Sequence, residues 1–325
     1  MKNKLIVLTI SASLSFASYA DIPAVNSALE ADNVIIAEQA YRKLSNDEKE
    51  SIQGQILSGR ILLKKEESED AFDYFETLRD KNPDNVDVNY YLGVSAVIMA
   101  QKASIFSKLG YAEDFLEAME KTIALKPDHI DALNTLIGFH LAAPGIAGGD
   151  TEKALIYANQ LKETDPEQGF MQLSIVYRKT DKTELAVKTL QAGLEKFPES
   201  SSLYFTRATA LMNKKAWSKA RADLNLAIKY AENDGDKSSA LYQQGKASAE
   251  SGEEIELGIH ALTQAMPLAD KEYKPWIEYR LAQLYIHSNN FKKAKDAIAM
   301  IDTNEDDDLK SKVKKLKKKL KKLMS

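Results

Sequence analysis

Cysteine is absent from all 325 residues, glycine and proline are sparse at 14 and 8, and tryptophan occurs only twice. Without cysteine there are no disulfides, no thiolate metal sites, no cysteine nucleophile and no lipidated cysteine to anchor a bacterial lipoprotein. Catalytic signatures are missing too. No Gly-rich phosphate loop with Lys-Ser/Thr and no Gly-x-Ser-x-Gly elbow occurs. The four histidines, His129, His140, His260 and His287, form no His-x-x-x-His pair, so a metal site would have to be assembled from distant parts of the chain. Asp302-x-Asn304-x-Asp306 opens like a calcium loop, but Asp307 stands where glycine is needed and Val313 where glutamate is needed. The stretch reads instead as a solvated acidic turn that caps the last helix. The chain reads as no enzyme, with no cofactor and no bound metal.

Long apolar runs are also lacking, with one exception at the N-terminus. Lys2 and Lys4 precede the apolar stretch Leu5 to Phe16, and Ser18-Tyr19-Ala20 offers a small-x-small cleavage site. This is the pattern of a secretory signal peptide cleaved before Asp21. The stretch is too short for a membrane span. The style of the signal suggests a Gram-negative bacterium and a protein released into the periplasm, not anchored.

The formal net charge of −4 conceals an asymmetry. The last 17 residues, from Leu309, hold nine lysines and no acid, whereas residues 21–308 carry 33 basic against 48 acidic residues, or −15. An acidic body argues against nucleic acid as a partner.

What is present is a repeat. Gly59 and Ala71, Ser174 and Ala186, Ala208 and Ala220, and Ala282 and Ala294 are pairs of small residues, each twelve positions apart. Leu62, Tyr177, Leu211 and Tyr285 follow the first member by three, and Pro83 and Pro198 close their units. A period of about 34 residues with two small helix-crossing positions marks stacked helix-turn-helix units. The chain resembles a tetratricopeptide repeat protein. That resemblance implies an all-α fold, an α-solenoid of stacked helical repeats in a right-handed superhelix, with repeats at about 52–83, 86–127, 131–166, 167–198, 201–232, 238–270 and 275–304. Residues 21–44 form an N-terminal helical segment ahead of them.

Repeat two breaks the period. From Gly93 to Pro127 is 34 residues where an ordinary repeat takes 24, enough to lengthen each helix by about five residues. The apolar content (Ile98, Met99, Ile105, Phe106, Leu109, Tyr111) predicts that the insertion packs against something. Positions facing the concave groove of such an array are Tyr90, Phe139, Met171, Arg178, Phe205, Trp276 and Tyr279, among others. Apolar residues there point either to a bound protein or peptide of the cell envelope or to a groove the protein fills itself. Some tetratricopeptide domains grip a peptide carboxylate with Lys, Asn and Arg on successive inner helices. The scattered Arg60, Arg178 and Gln283 do not reproduce that pattern.

Two further segments stand out. Pro144 through Ala154 resembles the Pro-x-x-x-Gly-Gly-Asp-x-x-Lys-Ala turn of a subset of bacterial envelope repeat proteins, including, more loosely, the ligand-binding subunit of some tripartite periplasmic transporters. Gly148-Gly149 would allow positive φ, and Asp150 or Thr151 would cap the next helix. The alternatives are an elaborate turn or a ligand bound at that helix N-terminus. In the Lys-rich tail, Leu309, Val313, Leu316, Leu320 and Leu323 form one apolar stripe. It predicts either a cap over the last repeat or a basic helix docking on anionic lipid or an acidic surface. The reading is a periplasmic adaptor or scaffold that binds a protein or peptide in its groove. The other reading is a small-molecule or lipid-binding component of an envelope transport system, with its pocket near repeat two and the Gly-Gly turn.

Overall fold

The computed structural model describes residues 21–303 and 306–324, the side chains of 105 and 106 aside, so the leader expected at 1–20 lies outside the described residues. All regular structure among them is helical. A hairpin of α1 (Ile22–Glu30) and α2 (Val34–Arg42) leads through the short α3 (Asn46–Glu50) into α4 (Ile52–Lys64) and α5 (Ser68–Lys81). Paired helices follow: α6 (Val86–Lys102) with α7 (Ile105–Leu125), α8 (Ile130–Ala142) with α9 (Thr151–Thr164), and α10 (Pro166–Lys179) with α11 (Thr183–Lys196). Next come α12 (Ser201–Asn213) with α13 (Trp217–Tyr230), α14 (Asp234–Ser251) with α15 (Ile255–Leu268), and α16 (Lys274–His287) with α17 (Phe291–Met300). The tail is one helix, α18 (Asp307–Met324). The chain forms two compact units: one runs to Ala132 and includes Ala143–Gly149, and the other holds Leu133–Ala142 and everything from Asp150.

The same turn joins the helices of most pairs. Asp32, Glu66, Asp181, Lys215 and Asn289 all take left-handed backbone, with φ between 55° and 61°. The next residue in each case donates its N–H to a carbonyl five residues back: Asn33 to Ala28, Glu67 to Leu62, Lys182 to Tyr177, Ala216 to Leu211 and Asn290 to Tyr285, at 2.8–3.1 Å. This is the hydrogen bond that closes a helix C-terminus in the Schellman manner. Four of the five acceptors are the positions where the sequence period places Leu62, Tyr177, Leu211 and Tyr285. The fifth, Ala28, gives the α1/α2 hairpin the same turn, so the repeat geometry begins earlier than the period in the sequence. Helix starts are fixed by side chains, as where Ser200 Oγ accepts from Leu203 N at 3.0 Å and Asp165 Oδ1 from Gln168 N at 3.1 Å.

Small residues are needed where paired helices touch. A Cβ added at Gly59 would lie 2.4 Å from the Phe75 ring, one at Gly93 2.8 Å from Met119 Cε, and one at Gly245 2.2 Å from Leu262 Cγ. Ala208 and Ala220 meet in the same way and are fully buried. Bulk on one helix thus fills the notch left on its partner. In the second unit the buried Asp223 clamps this packing, accepting two 2.7 Å hydrogen bonds from Arg207 across the α12/α13 pair. That contact raises the Arg207 pKa, chiefly through the hydrogen bond to Asp223.

The insertion of repeat two lengthens both helices, to 17 residues in α6 and 21 in α7. Packing of its tip departs from expectation. Tyr111 meets Phe72 edge-on at 5.2 Å, but Ser107, Lys108, Leu109 and Gly110 are exposed, and the side chains of Ile105 and Phe106 lie outside the described residues. Helix α7 also packs against the 3-10 turn at Gly145–Ala147.

Candidate functional site

The first helix of each pair carries the residues expected to face a partner, and the two units present them separately. In the first unit Tyr90 is half-buried on α6, its ring 4.7 Å from His129 and 5.1 Å from Tyr91. Burial, reinforced by the negative charge of Asp131, pushes its phenol pKa up to about 12. It is a packed aromatic that remains partly exposed.

In the second unit, Phe139 on α8, Met171 on α10 and Phe205 on α12 are each partly exposed. Met171 and Phe205 are 34 residues apart, so they occupy equivalent positions of neighbouring repeats. Helices α8 and α10 also carry a ladder of side-chain amides. Asn134 Nδ2 donates to Gln168 Oε1 at 2.8 Å, and Gln172 Nε2 donates to Asn134 Oδ1 at 2.9 Å. Gln168 Nε2 in turn donates to Asp165 Oδ2 at 2.8 Å. Each carboxamide offers two donor hydrogens and two acceptor lone pairs. The ladder therefore retains capacity for the alternating N–H and C=O groups of an extended chain. At the C-terminal end of α10, Arg178 is half-buried, and its Nε has no hydrogen-bond partner among the described residues. Apolar side chains, amides and a cation thus share the first-helix positions of α8, α10 and α12. Asn134 and Gln172 were not singled out from sequence. Their signal was there, an amide on each of two successive first helices, but amides at surface positions are common and only the pairing distinguishes these.

The expected groove fails at the end of the array. Tyr279 is buried, 7% exposed, in a cluster with Ile286, Ile298, Leu309, Val313, Leu316 and Leu320. Trp276 packs against the same cluster, donates Nε1–H to Asp306 at 3.0 Å and lies under Lys312 Nζ at 5.3 Å from its ring centroid. The stripe of α18 packs over this cluster, so Tyr279, expected on the groove, is buried within the protein, while Trp276 remains partly exposed against it. Leu323, by contrast, is 47% exposed and falls off the covered stripe.

The Gly-Gly turn also differs from expectation. Only Gly148 has left-handed backbone, at φ 89°. Gly149 is required for another reason: a Cβ there would sit 1.8 Å from the Ala143 carbonyl oxygen. Asp150 Oδ1 accepts from the N–H groups of Glu152 at 2.8 Å and Lys153 at 3.2 Å, and these bonds, that from Glu152 first, lower its pKa. Asp150 is the cap, and Thr151 is simply the first residue of α9. At this helix N-terminus the N–H groups of Glu152 and Lys153 are thus taken up by the chain's own carboxylate. Asp306 does the same for α18, accepting from Leu309 N at 2.8 Å.

Among the described residues no group of three or more His, Asp or Glu side chains is placed to hold a metal ion. No described helix is long and apolar enough to cross a membrane.

Comparison with known proteins agrees with this architecture. Residues 171–238 match the tetratricopeptide repeat family model. A tetratricopeptide repeat protein from Parabacteroides merdae superposes with a TM-score of 0.54 at 14% identity, covering 81% of this chain and 96% of its own. Yeast Tom70 gives 0.53 at 14% identity, over 92% of this chain and 80% of its own. The Cut9-Hcn1 hetero-tetramer of the APC/C gives 0.53 at 15% identity, over 90% of this chain and 54% of that one. At these identities the likeness is one of fold. No curated protein sequence matches the chain.

Proposed function

We propose that this tetratricopeptide repeat protein is a periplasmic adaptor that holds an extended segment of another protein against α8, α10 and α12. Repeats of this fold typically serve as non-catalytic scaffolds for protein partners. The observation that carries the finer reading is the Asn134–Gln168–Gln172 amide ladder across α8 and α10, two of the three first helices that carry partly exposed Phe139, Met171 and Phe205. Amides engage a partner's main chain, while the apolar side chains and Arg178 select its side chains. Arg178 favours a segment with an acidic residue. The periplasmic location rests on the leader pattern of residues 1–20.

Panning a random peptide library against the chain from Asp21 tests the binding claim. Selected peptides should combine apolar residues with an acid, and Met171→Asp or Phe205→Asp should each weaken binding by about 2 kcal/mol, the scale of a buried anchor. Selection of no peptide, or of peptides indifferent to both changes, would refute it. N-terminal sequencing of the protein recovered from a periplasmic extract should begin at Asp21. An intact leader, or recovery from the cytoplasm alone, would contradict the location.

A further inference from the structure

Capping accounts for the apolar stripe of α18 but leaves its charge unexplained. Of its nine lysines, eight are exposed, and Lys312, paired with Asp308 and set over Trp276, is tied into the cap. The acids of the helix, Asp307 and Asp308, sit in its first turn, where they suit the helix dipole. From Leu309 onward the charge is of one sign. Lys314, Lys317, Lys318 and Lys321 follow one another at helical spacing along one solvent face. Where that face meets α17, an open groove of about 580 Å³ is lined by Lys295, Ile298, Ala299, Lys317, Lys321 and Met324. Nearby, Met300 is 71%, Met324 57% and Leu323 47% exposed.

We infer that this end of the protein docks on an anionic phospholipid surface. A row of cations meets the lipid phosphates, while Leu323, Met324 and the lysine-walled groove enter the boundary between headgroups and acyl chains. The chemistry of the row chooses a membrane over an acidic protein. All nine cations are lysine and none is arginine. Protein interfaces favour arginine and deplete lysine, because the guanidinium fork fixes geometry whereas the ammonium is a point charge. A fluid sheet of phosphates needs charge without fixed geometry. The apolar stripe stays committed to the last repeat, so docking leaves the cap intact and the protein bound peripherally.

Vesicle co-sedimentation tests the inference. The chain from Asp21, which carries every described helix, is the form to use. It should sediment with phosphatidylcholine vesicles containing about one quarter phosphatidylglycerol at ~0.05 M salt, and less so at ~0.15 M. It should not sediment with phosphatidylcholine alone. Replacing Lys314, Lys317, Lys318 and Lys321 with Gln should weaken sedimentation by about a thousandfold without lowering the melting temperature. The variant should bind peptides at α8, α10 and α12 as the unmodified chain does, so failure here and failure of the adaptor reading are separable. Three results would each overturn the inference: no sedimentation with anionic vesicles at low salt, a variant that binds as well as the unmodified chain, or binding to polyglutamate with none to vesicles.

Discussion

Removing two leucines from α18 should uncover Trp276 without unfolding the repeats. Leu316 and Leu320 are each 6% exposed in the cluster that holds Tyr279, Ile286 and Ile298. Leu→Ala at a buried site costs about 2–5 kcal/mol. A helix at the end of the array is covered on one side only, which puts each change near the lower end. The two sites are one turn apart and share neighbours, so the double change comes to about 4 kcal/mol, less than a simple sum over the full range. Detached, an 18-residue helix is marginal in water, and one with nine like charges is less stable still. The double variant should therefore release α18. Because each repeat packs only on its neighbours, the loss should stop at the last pair. A Trp217→Phe background leaves Trp276 as the single tryptophan reporter. Its emission should shift to the red and its quenching by neutral acrylamide should rise, since it loses Asp306 and Lys312 as neighbours. Unchanged emission and quenching would refute the argument that the stripe covers this face.

Smaller perturbations test the turns. Gly149→Val should destabilise by about 1–3 kcal/mol in chemical denaturation, through contact with the Ala143 carbonyl; Gly148→Val should also destabilise, through backbone strain at its φ of 89°. Equal stability in both variants would remove the case for the turn. Asp150→Asn should lower the melting temperature at neutral pH. The folded pKa of Asp150 is depressed, so its contribution is full above the ordinary aspartate range and is lost as pH falls through the lowered value. The difference between the two proteins should thus vanish in acid, and a difference that persists there would contradict the carboxylate cap. Asp181→Gly and Lys215→Gly should each stabilise by about 0.5–1 kcal/mol in urea titrations, because relief of left-handed strain exceeds the added freedom of the unfolded chain.

The helix pairs were legible because their constraints are local. Gly59, Ala71, Ala208 and Ala220 recur at fixed spacing because two helices must cross there. Tyr177, Leu211 and Tyr285 recur because the same turn closes on their carbonyls. The first hairpin was only partly legible, since α1 and α2 are nine residues each and too short to display the period. What sequence could not supply was contact between distant segments. Trp276 and Tyr279 sit at first-helix positions like those of Met171 and Phe205, and only the path of the chain after Asp306 brings α18 over them. The amide ladder depended likewise on Asn134 and Gln172 meeting across 38 residues. At the Gly-Gly turn, sequence indicated that glycine was needed at two places but not that the two reasons differ.

The adaptor reading stands or falls on what lies against α12 in the cell. A photo-reactive benzoylphenylalanine placed at Phe205 should crosslink to one discrete protein on irradiation, and Asn134→Ala with Gln172→Ala should abolish that adduct. The same group at Ile156, which is 62% exposed on the second helix of its pair, should give no such product. An adduct at Ile156 but none at Phe205, or an adduct at Phe205 indifferent to loss of the amides, would contradict the account.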